Sequence, residues 1–158
     1  MSPTPWSPRP AGVDDADEVA RLLHDFNNEF AAPSPGASVL AARLRRLLAH
    51  DSTVVVLAGR PAVAVALVTF RSNVWYDGPV ALLDELYVEP GLRGRGIGAE
   101  VMDLVLAMCR ERGVELVEVN VDEGDVDAQR FYDRLGFSLR DPDSGERAFY
   151  VSMDLERG

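Results

Sequence analysis

The chain has 158 residues, 47% of them hydrophobic, and carries a formal net charge of −10 from 16 basic against 26 acidic side chains. That length suits one domain, residues 1–158, with a full core and little room for a second. The absence of any apolar run near about 18 residues argues against a membrane span, and the acidic surface disfavours nucleic acid and anionic membranes as partners. Every basic residue is arginine, a donor fork suited to phosphate, so a local arginine cluster in an acidic chain is informative. The single cysteine, Cys109, allows no internal disulfide, and His24 and His50 lie far apart. A reducing, cytoplasmic setting and no structural metal are therefore expected.

Residues 1–12 carry four prolines. They read as a tail, flexible over residues 1–8, with a short strand near Trp6 to Pro10; with neither a basic start nor an apolar run, the segment is not expected to be a signal peptide. Asp14 opens a helix whose apolar stripe is Val19, Leu22, Leu23, Phe26 and Phe30. Ala31 to Gly36 breaks it. A second helix follows, with Val39, Leu40, Arg43, Leu44, Leu47 and Leu48 as its inner stripe. Thr53 to Ala58 and Ala62 to Phe70 read as a hairpin around Gly59-Arg60-Pro61. After a loop from Asn73 to Pro79, Val80 to Val88 is a third long strand. A helix from about Ile97 to Arg112 is stopped by Gly113. Val114 to Val121 is a strand, Val126 to Leu135 a short helix ended by Gly136, and Phe137 to Arg140 with Arg147 to Leu155 a final hairpin. That order predicts one mixed, mostly antiparallel α/β sheet flanked by helices.

Arg93-Gly94-Arg95-Gly96-Ile97-Gly98 sits between the third long strand and a helix. Glycines there let the backbone pass close to a ligand and turn its N–H groups toward it. The helix adds the positive end of its dipole, and two arginines add charge, which together describe a diphosphate site. A Walker loop is excluded because no Gly-Lys-Ser/Thr occurs. Gly94, Gly96 and Ala99 also satisfy a dinucleotide fingerprint, with Glu115 as its ribose acid. That fingerprint belongs on the first βα turn of a doubly wound fold, whereas here a hairpin and a third strand come first.

The chain resembles the GCN5-related N-acetyltransferase (GNAT) family. Arg93, Gly96 and Gly98 match the family's Arg/Gln-x-x-Gly-x-Gly/Ala signature, Leu83 to Pro90 is similar to its fourth strand, and Ala128 to Phe137 is similar to its second conserved block. The resemblance covers about residues 10–155. It implies that acetyl-CoA is the cofactor, held by Leu86, Tyr87, Val88, Arg93, Gly94, Arg95, Gly96, Ile97, Gly98, Ala99, Asp125, Ala128 and Phe131. Asp125 stands where the family often has Asn, and a carboxylate accepts but cannot donate a hydrogen bond; as a helix-start residue it is favourable in its own right.

Acetyl transfer to an amine needs a base for the amine and an acid for the departing thiolate. The resemblance places Tyr132 near the cofactor sulfur as the acid. Asp84 and Glu85 are the candidates for the base. Adjacent strand residues point to opposite faces, so only one is expected to face the cleft. The family's acid-base residues lie four or six positions before the strand's last Val-like residue, which selects Asp84, unless a bulge shifts the register and brings Glu85 in. Asn27, Phe30, Trp75, Tyr76, Asp84 and Asn120 are candidates for acceptor contacts, since aromatics beside carboxylates suit a cationic amine. The expected acceptor is a small-molecule primary amine; a protein N-terminus or lysine, or a non-catalytic acyl-CoA sensor, are the alternatives. The last hairpin could join two copies into a homodimer.

Overall fold

A computed structural model describes residues 4–156. The first three residues of the expected tail lie outside it. The chain forms two compact units, one ending at Val119 and the other beginning at Asn120.

The first unit holds β1 (Pro8–Pro10), α1 (Ala16–Glu29), α2 (Ala37–Leu48), β2 (Thr53–Ala58), β3 (Ala64–Arg71), β4 (Val80–Val88), α3 (Ile97–Glu111) and β5 (Val117–Val119). The strands form one sheet in chain order. The first four pair antiparallel, and β4 pairs parallel with β5. This is the expected mixed sheet, with α3 as the crossover between the parallel strands. The β4–β5 ladder runs only from Ala81↔Val117 to Leu83↔Val119, so it ends well before β4 does. β5 is accordingly shorter than the strand expected over Val114 to Val121.

Alternation divides the sheet into two faces. Val55, Leu57, Val65, Leu67 and Tyr87 share one buried cluster with Ala16, Val19, Ala20 and Leu22 of α1 and with Ala41 and Leu44 of α2. The intervening residues, such as Val56, Ala66 and Val68, face the other side, which α3 covers with buried Ile97, Val101, Met102, Val105 and Cys109. The inner stripe of α2 differs from expectation. Val39 and Leu47 are exposed, as is Arg43, and the helix turns Ala41 and Leu44 inward with Leu40 and Leu48 beside them. Alanine counts as core only when a neighbour comes close enough to cover it, so helical spacing alone does not select this face. Placing Ala41 inward rotates the arginine out to water.

The turn between β2 and β3 anchors α1. The Glu18 carboxylate accepts from the Ala62 N–H, and Arg21 donates to the Ala62 carbonyl at 2.9 Å. These contacts hold the N-terminal half of α1 against the turn.

The second unit contains α4 (Val126–Arg134), close to the expected helix. Asp125 caps it by accepting from the Ala128 N–H at 3.0 Å. The turn of the expected last hairpin is present: Asp141 N–H donates to the Glu146 carbonyl at 2.8 Å, and the Asp141 carboxylate accepts from the Asp143 and Ser144 N–H groups. Its strands are not. Phe137 to Arg140 and Arg147 to Leu155 have no ladder, and Phe149, Tyr150, Val151, Met153 and Leu155 are exposed. A strand exists only through its neighbour's hydrogen bonds, so an alternating pattern alone does not produce one.

Gly78 lies against the end of α3. A Cβ there would stand 2.0 Å from the Gly113 carbonyl oxygen. Gly78→Ala is expected to cost about 1–3 kcal/mol of unfolding free energy in urea denaturation. Gly91→Ala, whose Cβ would meet nothing within 4 Å, should stay within about 0.5 kcal/mol of the parent.

Candidate active site

The loop from Arg93 to Gly96 opens directly into α3. Gly94 and Gly96 have φ of +78° and +82°, a region that disfavours side chains. Cβ atoms built on either would meet nothing within 4 Å, so the loop backbone faces open space. Glu100 makes the first helical bond, donating to the Gly96 carbonyl at 3.1 Å. The N–H groups of Ile97, Gly98 and Ala99 therefore have no acceptor within the helix and add to its positive end. Arg95 is exposed on the same loop. A diphosphate fits this donor set: amides without helical partners, glycines that leave room, and a cation. No group of three or more His, Cys, Asp or Glu side chains among the described residues could hold a metal.

Arg93 is placed differently from a simple phosphate ligand. Its Nη1 and Nη2 donate to the two carboxylate oxygens of Glu29 at 2.7 and 2.8 Å, and Nε donates to the Val88 carbonyl at 2.9 Å. The guanidinium lies 5.5 Å from the centre of the Tyr87 ring, and that ring stacks on Phe26 at 5.0 Å. The Arg93 hydrogen bonds hold the Glu29 carboxyl below its usual range. Tyr87 is pushed up, first by burial and then by the Glu29 charge.

The two acidic candidates on β4 are brought together by a register slip. Leu67 faces Glu85 and Val68 faces Leu83, so Asp84 is an extra residue in the strand. Strict alternation, which would send Asp84 and Glu85 to opposite faces, therefore fails here. Glu85 lies opposite Leu67, on the α1 side. Asp84 accepts from the Thr69 hydroxyl at 2.7 Å, and Thr69 shares the face of Leu67. Both carboxylates thus lie on the α1 side, Asp84 exposed and Glu85 half-buried. Burial, with the neighbouring Asp84 charge, raises the Glu85 pKa above the ordinary glutamate value. Thr69 was invisible as a site residue in the sequence, since only cross-strand pairing brings it to Asp84.

The acceptor candidates separate. Asn27 and Phe30 stand at the end of α1 that meets the glycine loop; Asn27 donates to the Pro33 carbonyl at 2.8 Å, and Phe30 is 57% exposed with an edge contact to Phe26. Trp75 and Tyr76 belong to the loop entering the opposite end of β4, where their N–H groups donate to Asn73. Trp75 is 84% exposed. Leu86 and Val88 complete the loop-proximal end of β4. In the second unit, Tyr132 is only 7% exposed and meets the rings of Phe131 and Phe137 edge-on. Burial, with a smaller contribution from the Asp125 charge, pushes its phenol up to about 12. The Asp125 carboxylate is engaged at the start of α4, and Asn120 is exposed just beyond β5.

The model of the acetyltransferase (GNAT) family matches residues 18–137. The chain belongs to that family. A solved structure from Arthrobacter sp. FB24, described as a candidate acetyltransferase, superposes with a TM-score of 0.91 at 48% identity, covering 98% of this chain and 99% of that one. A mycothiol acetyltransferase of Beutenbergia cavernae is 36% identical over 70 residues, 42% of this chain and 24% of that protein. A streptothricin acetyltransferase of Streptomyces lavendulae is 34% identical over 80 residues, 45% of this chain and 42% of that protein. The chain thus spans less than half the length of these two curated relatives. Among the described residues no helix is long and apolar enough to cross a membrane.

The raised Glu85 pKa has a consequence for stability. A carboxyl whose folded pKa lies above its unfolded value contributes fully below the ordinary carboxylate range and loses that contribution as pH rises through the folded value. Glu85→Gln is therefore expected to melt higher than the parent at neutral pH, with the gap closing as pH falls below the ordinary glutamate value. A gap that widens on acidification would contradict the burial of this carboxylate.

Proposed function

We propose that the protein transfers an acetyl group from acetyl-CoA to the primary amine of a small molecule, with Glu85 as the base and Tyr132 as the acid. The observation that carries this reading is the slip at Asp84, which puts two carboxylates on the α1 face of the strand leading into the glycine loop. Acetyl-CoA, when bound, supplies the thioester carbonyl that the amine nitrogen attacks.

The chain's own groups divide the remaining work. Amides of the glycine loop and the first turn of α3 hold the diphosphate, with Arg95 adding charge. The β4 end at Leu86 to Val88 and the start of α4, with Asp125, Ala128 and Phe131, are the family-implied contacts for the rest of the cofactor. Glu85 takes a proton from the ammonium; a carboxylate made more basic by burial does so more readily at neutral pH. Asp84, exposed beside it, favours a cation arriving there and sustains the basicity of Glu85. The Tyr132 hydroxyl stays protonated at neutral pH, so it can donate to a departing thiolate. Asn27 and Phe30 shape the acceptor side. The mycothiol and streptothricin enzymes are named for small molecules, and the net charge of −10 favours a cationic acceptor, which together support the substrate class.

The test is release of CoA thiol from acetyl-CoA against a panel of small amines. CoA binding without amine-dependent release across that panel would reduce the protein to a binding module. Tyr132→Phe keeps the ring and should lower turnover about 10²-fold with CoA affinity nearly constant; unchanged turnover would make the residue a packing group. Asp84→Asn removes a negative neighbour, lowers the Glu85 pKa, and should move the acid limb of the rate profile to lower pH. Glu85→Gln should remove that limb. Full neutral-pH activity in both acid variants would rule out a protein base on β4.

A further inference from the structure

Glu29 is the last residue of α1, and that helix has no basic residue in its last turn. An acid at this position meets the negative end of the helix dipole, so helix chemistry alone disfavours it. Its compensation is Arg93, the first residue of the cofactor loop, 64 positions away in sequence. The contact is a two-pronged fork, the geometry that a guanidinium and a carboxylate satisfy together and that an ammonium cannot reproduce. The third nitrogen of the same guanidinium is anchored on the Val88 carbonyl at the end of β4. Phe26, Tyr87 and Arg93 form a continuous stack beneath it. Three elements thus meet at one side chain: the end of α1, the end of β4 and the start of the loop.

We infer that Glu29 is a positioning residue for the cofactor loop, acting through Arg93, and that the Arg93 side chain serves as a clip between α1 and the loop rather than as the cationic ligand of the diphosphate. This rests on the acetyl-CoA reading of the loop. The charge of Arg93 is already matched by Glu29, so the diphosphate relies on the amides and Arg95. The clip fixes the direction in which those amides point. It also ties the acceptor side, at Asn27 and Phe30, to the cofactor side.

A double-mutant cycle on CoA affinity, measured by calorimetric titration of the full chain, separates the two roles. Under the clip, Arg93→Gln and Glu29→Gln each weaken CoA binding about tenfold, and the double variant is no weaker than the worse single one, because each removes the same contact. Arg93→Lys keeps the charge but loses the fork, so it behaves like Arg93→Gln. A direct diphosphate ligand predicts the reverse: Arg93→Lys near the parent, and Glu29→Gln neutral or tighter. That result overturns the inference, as does a lowered melting temperature with CoA affinity intact in all variants, which would make the fork merely structural. A parent protein that binds no CoA would fail the acetyl-CoA reading itself, an outcome visible before any variant is made.

Discussion

Leu67 pairs with Glu85 and Val68 with Leu83, leaving Asp84 without a partner position in β3. The site depends on that one extra residue. On the Val80 side of the slip, Leu83 and Ala81 face α3 and are buried there. On the Val88 side, Tyr87 enters the α1 cluster. A regular strand would have to choose: with Leu83 and Tyr87 on one face, one of them would leave its own core. The slip lets each half of β4 bury its apolar residues correctly, and the polar residues at the junction, Asp84 and Glu85, are left together on one face. Thr69 then satisfies Asp84 with a hydroxyl donor, and Glu85 is left with desolvation and a like charge, which raises its basicity.

The second constraint is the short parallel ladder. Pairing of β4 with β5 stops at Leu83↔Val119, just before the slip. The half of β4 that leads to the glycine loop is therefore not held in that ladder, and its placement relies on β3 on one side and on the α1 contacts above it. Those contacts are aromatic and ionic. The stack of Phe26 on Tyr87 and the Glu29–Arg93 fork join α1 to the strand and the loop. The Ala62 contacts of Glu18 and Arg21 fix the other end of the same helix. Exposed ion pairs contribute little to stability individually, so the value of the fork lies in geometry.

In the second unit the chemistry is local. The Asp125 cap starts α4, and the Phe131 and Phe137 rings enclose Tyr132. A phenol so enclosed keeps its proton.

The sequence by itself determined most of the elements. The bounds of β2 and β4 matched, and α3 and α4 fell within a residue of expectation, because alternation, helical spacing and terminal glycines are local signals. The glycine loop was legible for the same reason: closely spaced glycines at the entry to a helix describe their own backbone. What only the tertiary structure decided involves partners remote in the chain. The slip at Asp84 exists only relative to β3, and the engagement of Arg93 exists only relative to Glu29. The inward turn of Ala41 requires the sheet it packs on. The last expected strands failed on the same ground, since Phe149 to Leu155 alternate as a strand should but have no ladder to join. Local patterns report what a segment can form; hydrogen bonds, ion pairs and burial across long sequence separations decide what it does form.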